Sequence, residues 1–361
     1  MSTHQMNYTI DADPIQQAAS EFKLYPPGLL DRFMDSVEQL PIPYGLTYLV
    51  LFILQSIIMH IMSWVDGWLP AYTLSPLILL FPLWLWCPLA IVTYLDSISL
   101  EALSRFSSLL DIQPETMRRL KHEFTTMPAR SVIISGVIWT GIYFLFTYVS
   151  FDTVYVAYGY GTFGTVIAIL EGLLSFSMGS VIYYHSIRQL RLVRRTVNMV
   201  KQFDLFRLDP VYAFSAVTSR TGVAWVILLS LTLLMLPIQL VPAPTLMMLI
   251  LQVVLALAAF ALPLRVVNQR LVAEKRRLLA ELDQRVKTLL GRLHRCLDDN
   301  ELDEVNQLNS AITGLTVERD ILAKISTWPW RAGLLTGFLS IVVLPIIIFL
   351  IQLVLRNWLG Q

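Results

Sequence analysis

Hydrophobic positions in this chain gather into seven long runs, at about 44–65, 72–95, 131–151, 162–186, 221–241, 244–264 and 332–355. Each is long enough to cross a hydrocarbon core, which takes roughly 17 to 25 predominantly apolar residues. Backbone in lipid must satisfy its own hydrogen bonds, so all seven are predicted as helices. Between the runs the pattern turns amphipathic. Leu29, Leu30, Phe33, Val37 and Leu40 recur at helical spacing beside Asp31, Arg32, Asp35 and Glu38, which predicts a helix lying on the membrane surface. Leu100, Leu103, Phe106 and Leu110 predict a second such helix, and Pro114 opens a third in PETMRRLKHEF.

The stretch from 266 to 331 predicts two long helical arms. Leu278, Leu282, Val286, Leu289 or Leu290, Leu293 and Leu297 follow a three-to-four spacing, as do Leu302, Val305, Leu308, Ile312 and Leu315. The break DDNEL supplies turn and capping residues between them. The predicted fold is all-α: a seven-transmembrane helix bundle with an antiparallel coiled-coil hairpin between spans 6 and 7. Its divisions are an N-terminal segment 1–43, a six-helix membrane region 44–265, the hairpin 266–331, and a seventh span with a short tail, 332–361. The descending arm continues span 6, so that 245–297 predicts a rod of roughly 80 Å at 1.5 Å per residue.

Charge orients this pattern. Of 27 lysines and arginines, all but Arg356 fall on one side of the runs. The positive-inside rule makes that side cytoplasmic, with the N-terminus inside and the C-terminus outside, which suits a multi-pass protein of the plasma membrane. Trp64, Trp68, Trp225, Trp328, Trp330 and Trp358 fall near predicted span ends, where an interfacial belt is expected. Composition agrees, with 15% charged residues against about 25% in soluble domains. The opening MSTHQMNYTIDADPIQQ has acids where a signal peptide has basic and then apolar residues, so no cleavage is expected. Within the hairpin, residues 266–297 carry eight basic and three acidic side chains (+5) and 298–325 carry two and seven (−5), a complementarity that selects an antiparallel partner. An arm pair of this kind either stays within one chain or joins copies.

At the level of topology the chain resembles the seven-transmembrane ion channels of the insect odorant and gustatory receptor type. The residues that carry the likeness are the Leu278 to Leu297 seam, the Leu302 to Ile325 arm, and the Thr327-Trp328-Pro329-Trp330 break before Gly333. The resemblance implies a homotetramer held by the cytoplasmic helices, with the last membrane helix lining a pore. Span 7 here, GLLTGFLSIVVLPIIIFLIQLVL, lacks the Thr-Tyr and Gln-Phe pattern of gustatory receptors.

Candidate functional residues are few. Glu171 is the one acid or base well inside a span, and a charge there costs at least ~2.5 kcal/mol. It is expected to be protonated, hydrogen-bonded to a polar neighbour such as Gln55, His60, Gln239 or Gln252, or facing water, in either a structural role or one in ion passage, proton coupling or ligand binding. Gly164, Ala168, Gly172, Ser175 and Gly179 form a small-residue face for close helix packing or a pore flank, with a shorter version in Gly333, Gly337 and Ser340. Pro82, Pro88, Pro237 and Pro345 predict kinks. Tyr148, Phe151, Tyr155, Tyr158 and Tyr160 form either an interfacial belt or an outer ligand pocket. Arg188, Arg191, Arg194 and Arg195 are a candidate site for anionic lipid.

No enzyme signature is present: no HExxH, phosphate-binding glycine loop, nucleophile elbow, or intramembrane acid or His-Asp pair. Cys87 and Cys296 offer no disulfide framework or metal spacing, and no cofactor or nucleic-acid partner is expected. Two functions fit: an oligomeric channel-like or chemoreceptor-like protein anchored by the hairpin, or a non-conducting sensor or scaffold whose hairpin recruits a cytoplasmic partner.

Overall fold

The structure, a computed structural model, describes residues 24–151, 162–200, 203–206, 208–235, 243–298 and 302–328, with scattered positions from 336 onward. No strand occurs among them. Nine α-helices do: α1 Leu29–Glu38, α2 Tyr44–Val65, α3 Leu80–Phe106, α4 Pro114–Thr125, α5 Ala129–Ser150, α6 Thr162–Asn198, α7 Asp209–Met235, α8 Ala243–Asp298 and α9 Leu302–Lys324. Six helical stretches, containing α2, α3, α5, α6, α7 and α8, are long and apolar enough to cross a membrane, which makes this a multi-pass membrane protein of the all-helical class. The seventh apolar run falls largely outside the described residues, as do Pro237 and the Pro329-Trp330 break.

On the side rich in basic residues the helices outrun their apolar segments. α3 starts at Leu80 rather than 72 and continues through Leu103 and Phe106, so the expected separate amphipathic helix is its last part. Its prolines differ in effect, because Pro82 sits in the first turn, where a missing N–H costs nothing, while Pro88 lies in the interior. α6 runs unbroken through the arginine run, and α7 begins at Asp209, its acid facing the helix dipole. α8 has 56 residues and passes Pro263 without a break.

These extensions bury a second core. The first joins Tyr48, Leu89, Val92, Ile182, Trp225 and Leu228 within the apolar part of the bundle. The second, at the basic end, joins Leu103, Phe106, Phe124, Val197, Phe214 and Leu271. Phe214 makes an edge contact with Phe106 at 4.4 Å between centroids and stacks with Phe124 at 6.2 Å. Trp225, expected at the interface, is buried in the first core, with its indole N–H donated to Ser186 Oγ at 3.1 Å.

α1 deviates from its expected placement, whereas α2 spans the expected 44–65. α1 buries Asp31, Met34 and Val37 against the bundle and leaves Leu29 86% exposed, so its inner face is turned away from the Leu29–Phe33 line. α2 ends in a Schellman motif: Gly67 takes φ +73, its N–H reaching Trp64 O at 3.2 Å while that of Trp68 reaches Ser63 O at 3.1 Å.

α9 lies against α8. Lys275 Nζ donates to the carbonyls of Ala323 and Ile325 at 2.7 and 2.8 Å, closing the end of α9 where carbonyls lack helical donors. The ion pair joining the two helices among the described residues is Arg319–Asp283 at 2.7 Å. It joins a base of the acidic arm to an acid of the basic arm, the reverse of the expected division, while Arg277 pairs within α8 with Glu274. Apolar contact contributes more to the pairing than charge does. Leu282, Leu308 and Leu322 are buried, Leu278, Val286, Leu293, Val305, Ile312 and Leu315 are half-buried, and Leu297 is 48% exposed. Leu322→Ala removes the side chain that ties α9 into the basic-end core and should cost about 2 to 5 kcal/mol of local stability. Faster amide exchange across α9, with that of α2 unchanged, is the expected readout.

Candidate functional site

Several polar residues inside the bundle are paired across helices. Trp86 Nε1 on α3 donates to Gln55 Oε1 on α2 at 2.6 Å, and Gln55 Nε2 donates to Glu171 Oε2 on α6 at 2.7 Å. Of the neighbours expected for Glu171, Gln55 is the one in contact. His60 bonds elsewhere, since its Nε2 accepts the Ser75 N–H at 3.1 Å, which assigns the proton to Nδ1 and directs it to Ser56 O at 2.7 Å. Gln252 is buried and engaged with Tyr183, and Gln239 lies outside the described residues. The Glu171 carboxyl is thus held by a two-bond relay spanning three helices.

The small-residue face of α6 packs on two neighbours. Gly172 sits under the Tyr143 ring of α5, so close that a methyl group there would overlap it, and the Tyr143 hydroxyl donates to Ile169 O at 2.9 Å. Ser175 Oγ donates to Phe81 O of α3 at 2.8 Å. A Cβ on Gly179 would meet the Trp84 ring at 3.1 Å, beside the Trp84 carbonyl that Pro88 leaves without its helical donor. Ala168 is buried, and the Gly164 N–H donates to Asp66 Oδ2 at 3.0 Å, so an acid from the end of α2 caps the start of α6. Gly337 has no neighbour within 4 Å of an added Cβ, and Gly333 lies outside the described residues. Tyr148 is 84% exposed, Phe151 is 39% exposed, and Tyr155, Tyr158 and Tyr160 are outside the described residues.

A second polar cluster has no counterpart among the sequence motifs. The chain shows no His-Asp pair in sequence, yet α3 and α6 form one: His185 Nε2 lies 3.2 Å from Asp96 Oδ1, close enough for charge attraction though poorly aligned as a hydrogen bond. Gln189, one turn along α6, donates to Leu95 O at 3.2 Å and to Asp96 Oδ1 at 3.4 Å. Ser99 Oγ and Gln189 Oε1 are buried without a hydrogen-bond partner among the described residues. Asp31 of α1 lies nearby and accepts N–H bonds from Gly28 at 2.9 Å and Met127 at 3.3 Å. The sequence does carry a faint signal, since Asp96 ends one apolar run and His185 ends another, which sets them at one depth. Such a cluster can hold or pass a proton where α1, α3 and α6 meet.

The arginine run beyond it divides. Arg188 bonds the Tyr25 hydroxyl and lies 5.9 Å from that ring's centroid, while Arg195 pairs with Glu123 at 3.1 Å, itself held by Arg119 at 2.7 Å. These two residues, seven apart, face α4 and the segment just before α1, and both make internal contacts. Arg191 and Arg194 point the other way, into a cavity of about 390 Å³ between α6 and α8 that Arg265 also lines. Its remaining walls are mostly apolar, among them Ile187, Leu255 and Leu262.

Compared with protein-family models, with curated proteins and with solved structures, the chain matches none.

Gly172→Ala should destabilise the α5–α6 contact by about 1 to 3 kcal/mol through overpacking, and the same substitution should cost much less when made in a Tyr143→Ala background. Thermal unfolding of the purified variants in detergent checks both. Asp31 gives a pH dependence. Burial raises its carboxyl above the ordinary range, with the Gly28 and Met127 N–H bonds opposing, Asp35 adding and His185 opposing. A carboxyl raised in the folded state favours that state fully below its ordinary pKa, and the contribution fades as pH rises through the folded value. Docking of α1 should therefore be tightest below the ordinary carboxylate range and loosen as pH rises through the raised folded value, seen as a falling protection factor of the Met127 amide. Asp31→Asn keeps an acceptor and should flatten that profile.

Proposed function

We propose that this chain is a self-assembling, channel-like or chemoreceptor-like membrane protein whose copies meet through the water-facing helices at the basic end. In this reading the basic end is cytoplasmic, the 332–355 run is a seventh span, and the C-terminus is outside, at the plasma membrane. The likeness in topology to the odorant and gustatory receptor type of ion channel belongs to the same reading, including a tetramer with the last membrane helix at its axis.

The observation that supports assembly is the apolar surface left on the α8 and α9 arms after they pack together. Leu290 is 39%, Leu297 48%, Val317 54% and Ile321 52% exposed, and in this reading they face water. Exposed apolar patches on otherwise charged helices mark contact surfaces. Single surface ion pairs such as Arg319–Asp283 contribute only about 0 to 1 kcal/mol, so a stable arm pair needs further burial.

Mass measurement of the full-length chain in detergent should return several copies, four by the family likeness. Replacing Leu297 and Ile321 together with lysine should shift it towards single copies, and the same variant in planar bilayers should lose the conductance of the parent. A parent chain that is monomeric and never conducts removes the proposal. Intact self-assembly with loss of a heterologous cytoplasmic partner favours the scaffold instead.

A further inference from the structure

The cavity between α6 and α8 joins a basic lining to an apolar one. Arg191 and Arg194 from α6 and Arg265 from α8 all line it, and their order along the two helices puts them at the end away from Leu255. Other arginines of the region are engaged: Arg188 with Tyr25, Arg195 with Glu123, and Arg270 with Asn198 at 3.3 Å. These three have no ion pair or hydrogen bond among the described residues. Three guanidinium groups gathered on one cavity repel each other, and an anion among them turns repulsion into charge-assisted bonding.

The other end is apolar. Ile187 is 41% and Leu262 62% exposed, and Leu255 and Ala258 continue the wall towards the membrane-spanning part of α8. A small hydrated anion gains nothing from such a wall, whereas an amphiphile with a phosphate at one end and a hydrocarbon chain at the other matches both ends. At about 390 Å³ the cavity accepts a headgroup and the first part of a chain rather than a whole lipid.

We propose that this groove binds an anionic glycerophospholipid, its phosphate among Arg191, Arg194 and Arg265 and one acyl chain along Ile187, Leu255 and Leu262. The proposal rests on the membrane setting of the bundle and is independent of self-assembly. The groove floor includes Ser186 and Trp225, so the lipid lies one residue along α6 from His185 and its buried pair with Asp96.

The test titrates the purified full-length chain with phosphatidylglycerol or phosphatidylcholine and counts bound lipid by native mass spectrometry. Phosphatidylglycerol should be retained in preference, with affinity falling roughly five-fold for each of Arg191→Gln, Arg194→Gln and Arg265→Gln. Arg285→Gln and Arg292→Gln, exposed further along α8, should leave it unchanged. Soluble glycerol phosphate should fail to displace the lipid; displacement would mark a free-phosphate site and overturn the proposal. Equal retention of both lipids, or equal losses from the Arg285 and Arg292 variants, overturns it as well. A photo-crosslinker at Leu262, in a chain with every arginine intact, should yield a lipid adduct. An adduct to this chain's own 332–355 run or to a second copy assigns the groove to that occupant and refutes the lipid.

Discussion

Everything in this bundle depends on the rule that a polar group in lipid must find its partner inside the protein. Helices satisfy the backbone and many of the serine and threonine hydroxyls, and several of the remaining side-chain groups become links between helices. Trp86, Gln55 and Glu171 join α3, α2 and α6; Ser175 joins α6 to the Phe81 carbonyl; Trp225 joins α7 to α6 through Ser186. Apolar contact alone discriminates weakly between one helix register and another, because lipid tails are as apolar as leucine. The polar links and the close glycine contacts therefore determine which helix lies beside which, and leucine and valine fill the space between.

α6 is the helix on which most of these links meet. Its small-residue face carries Gly172 under Tyr143 of α5 and, further along, Ser175 and Gly179 against α3, and beyond the apolar part the same helix carries His185 and Gln189 towards Asp96. Further along, its arginines part by seven-residue spacing, with Arg188 and Arg195 turned to Tyr25 and Glu123 and Arg191 and Arg194 turned to the groove. A run that reads as one basic cluster in sequence thus serves two surfaces, because 3.6 residues per turn separates neighbours that spacing alone groups together.

Membrane class, most helix positions and the unbroken length of α8 are legible in the sequence, since apolar runs and the continuous helical spacing between 245 and 297 report directly on helices. Four polar residues are possible partners of Glu171, and only three-dimensional packing chooses Gln55. Periodicity misplaces the inner face of α1 because it weighs Leu29 and Phe33 above Asp31, whereas two backbone N–H groups draw the Asp31 carboxyl inward. Trp225 is buried rather than interfacial because proximity to a run's end stands in for depth only when the helix ends there, and α7 starts 16 residues earlier, at Asp209. The His185–Asp96 pair and the convergence of Arg265 with α6 join residues of separate helices, and no local pattern reports such a pairing.

The continuity of α8 has a mechanical consequence. From Arg265 to Asp298 the helix extends roughly 50 Å, a stiff rod rooted in the groove and braced at its base by Arg270 and Lys275. A tilt of about 5° at the root carries the far end by about 4 Å over that length. Whatever occupies the space beside Arg265 sits at the fulcrum of this lever, where a small change in filling becomes a displacement the size of a side chain at its tip.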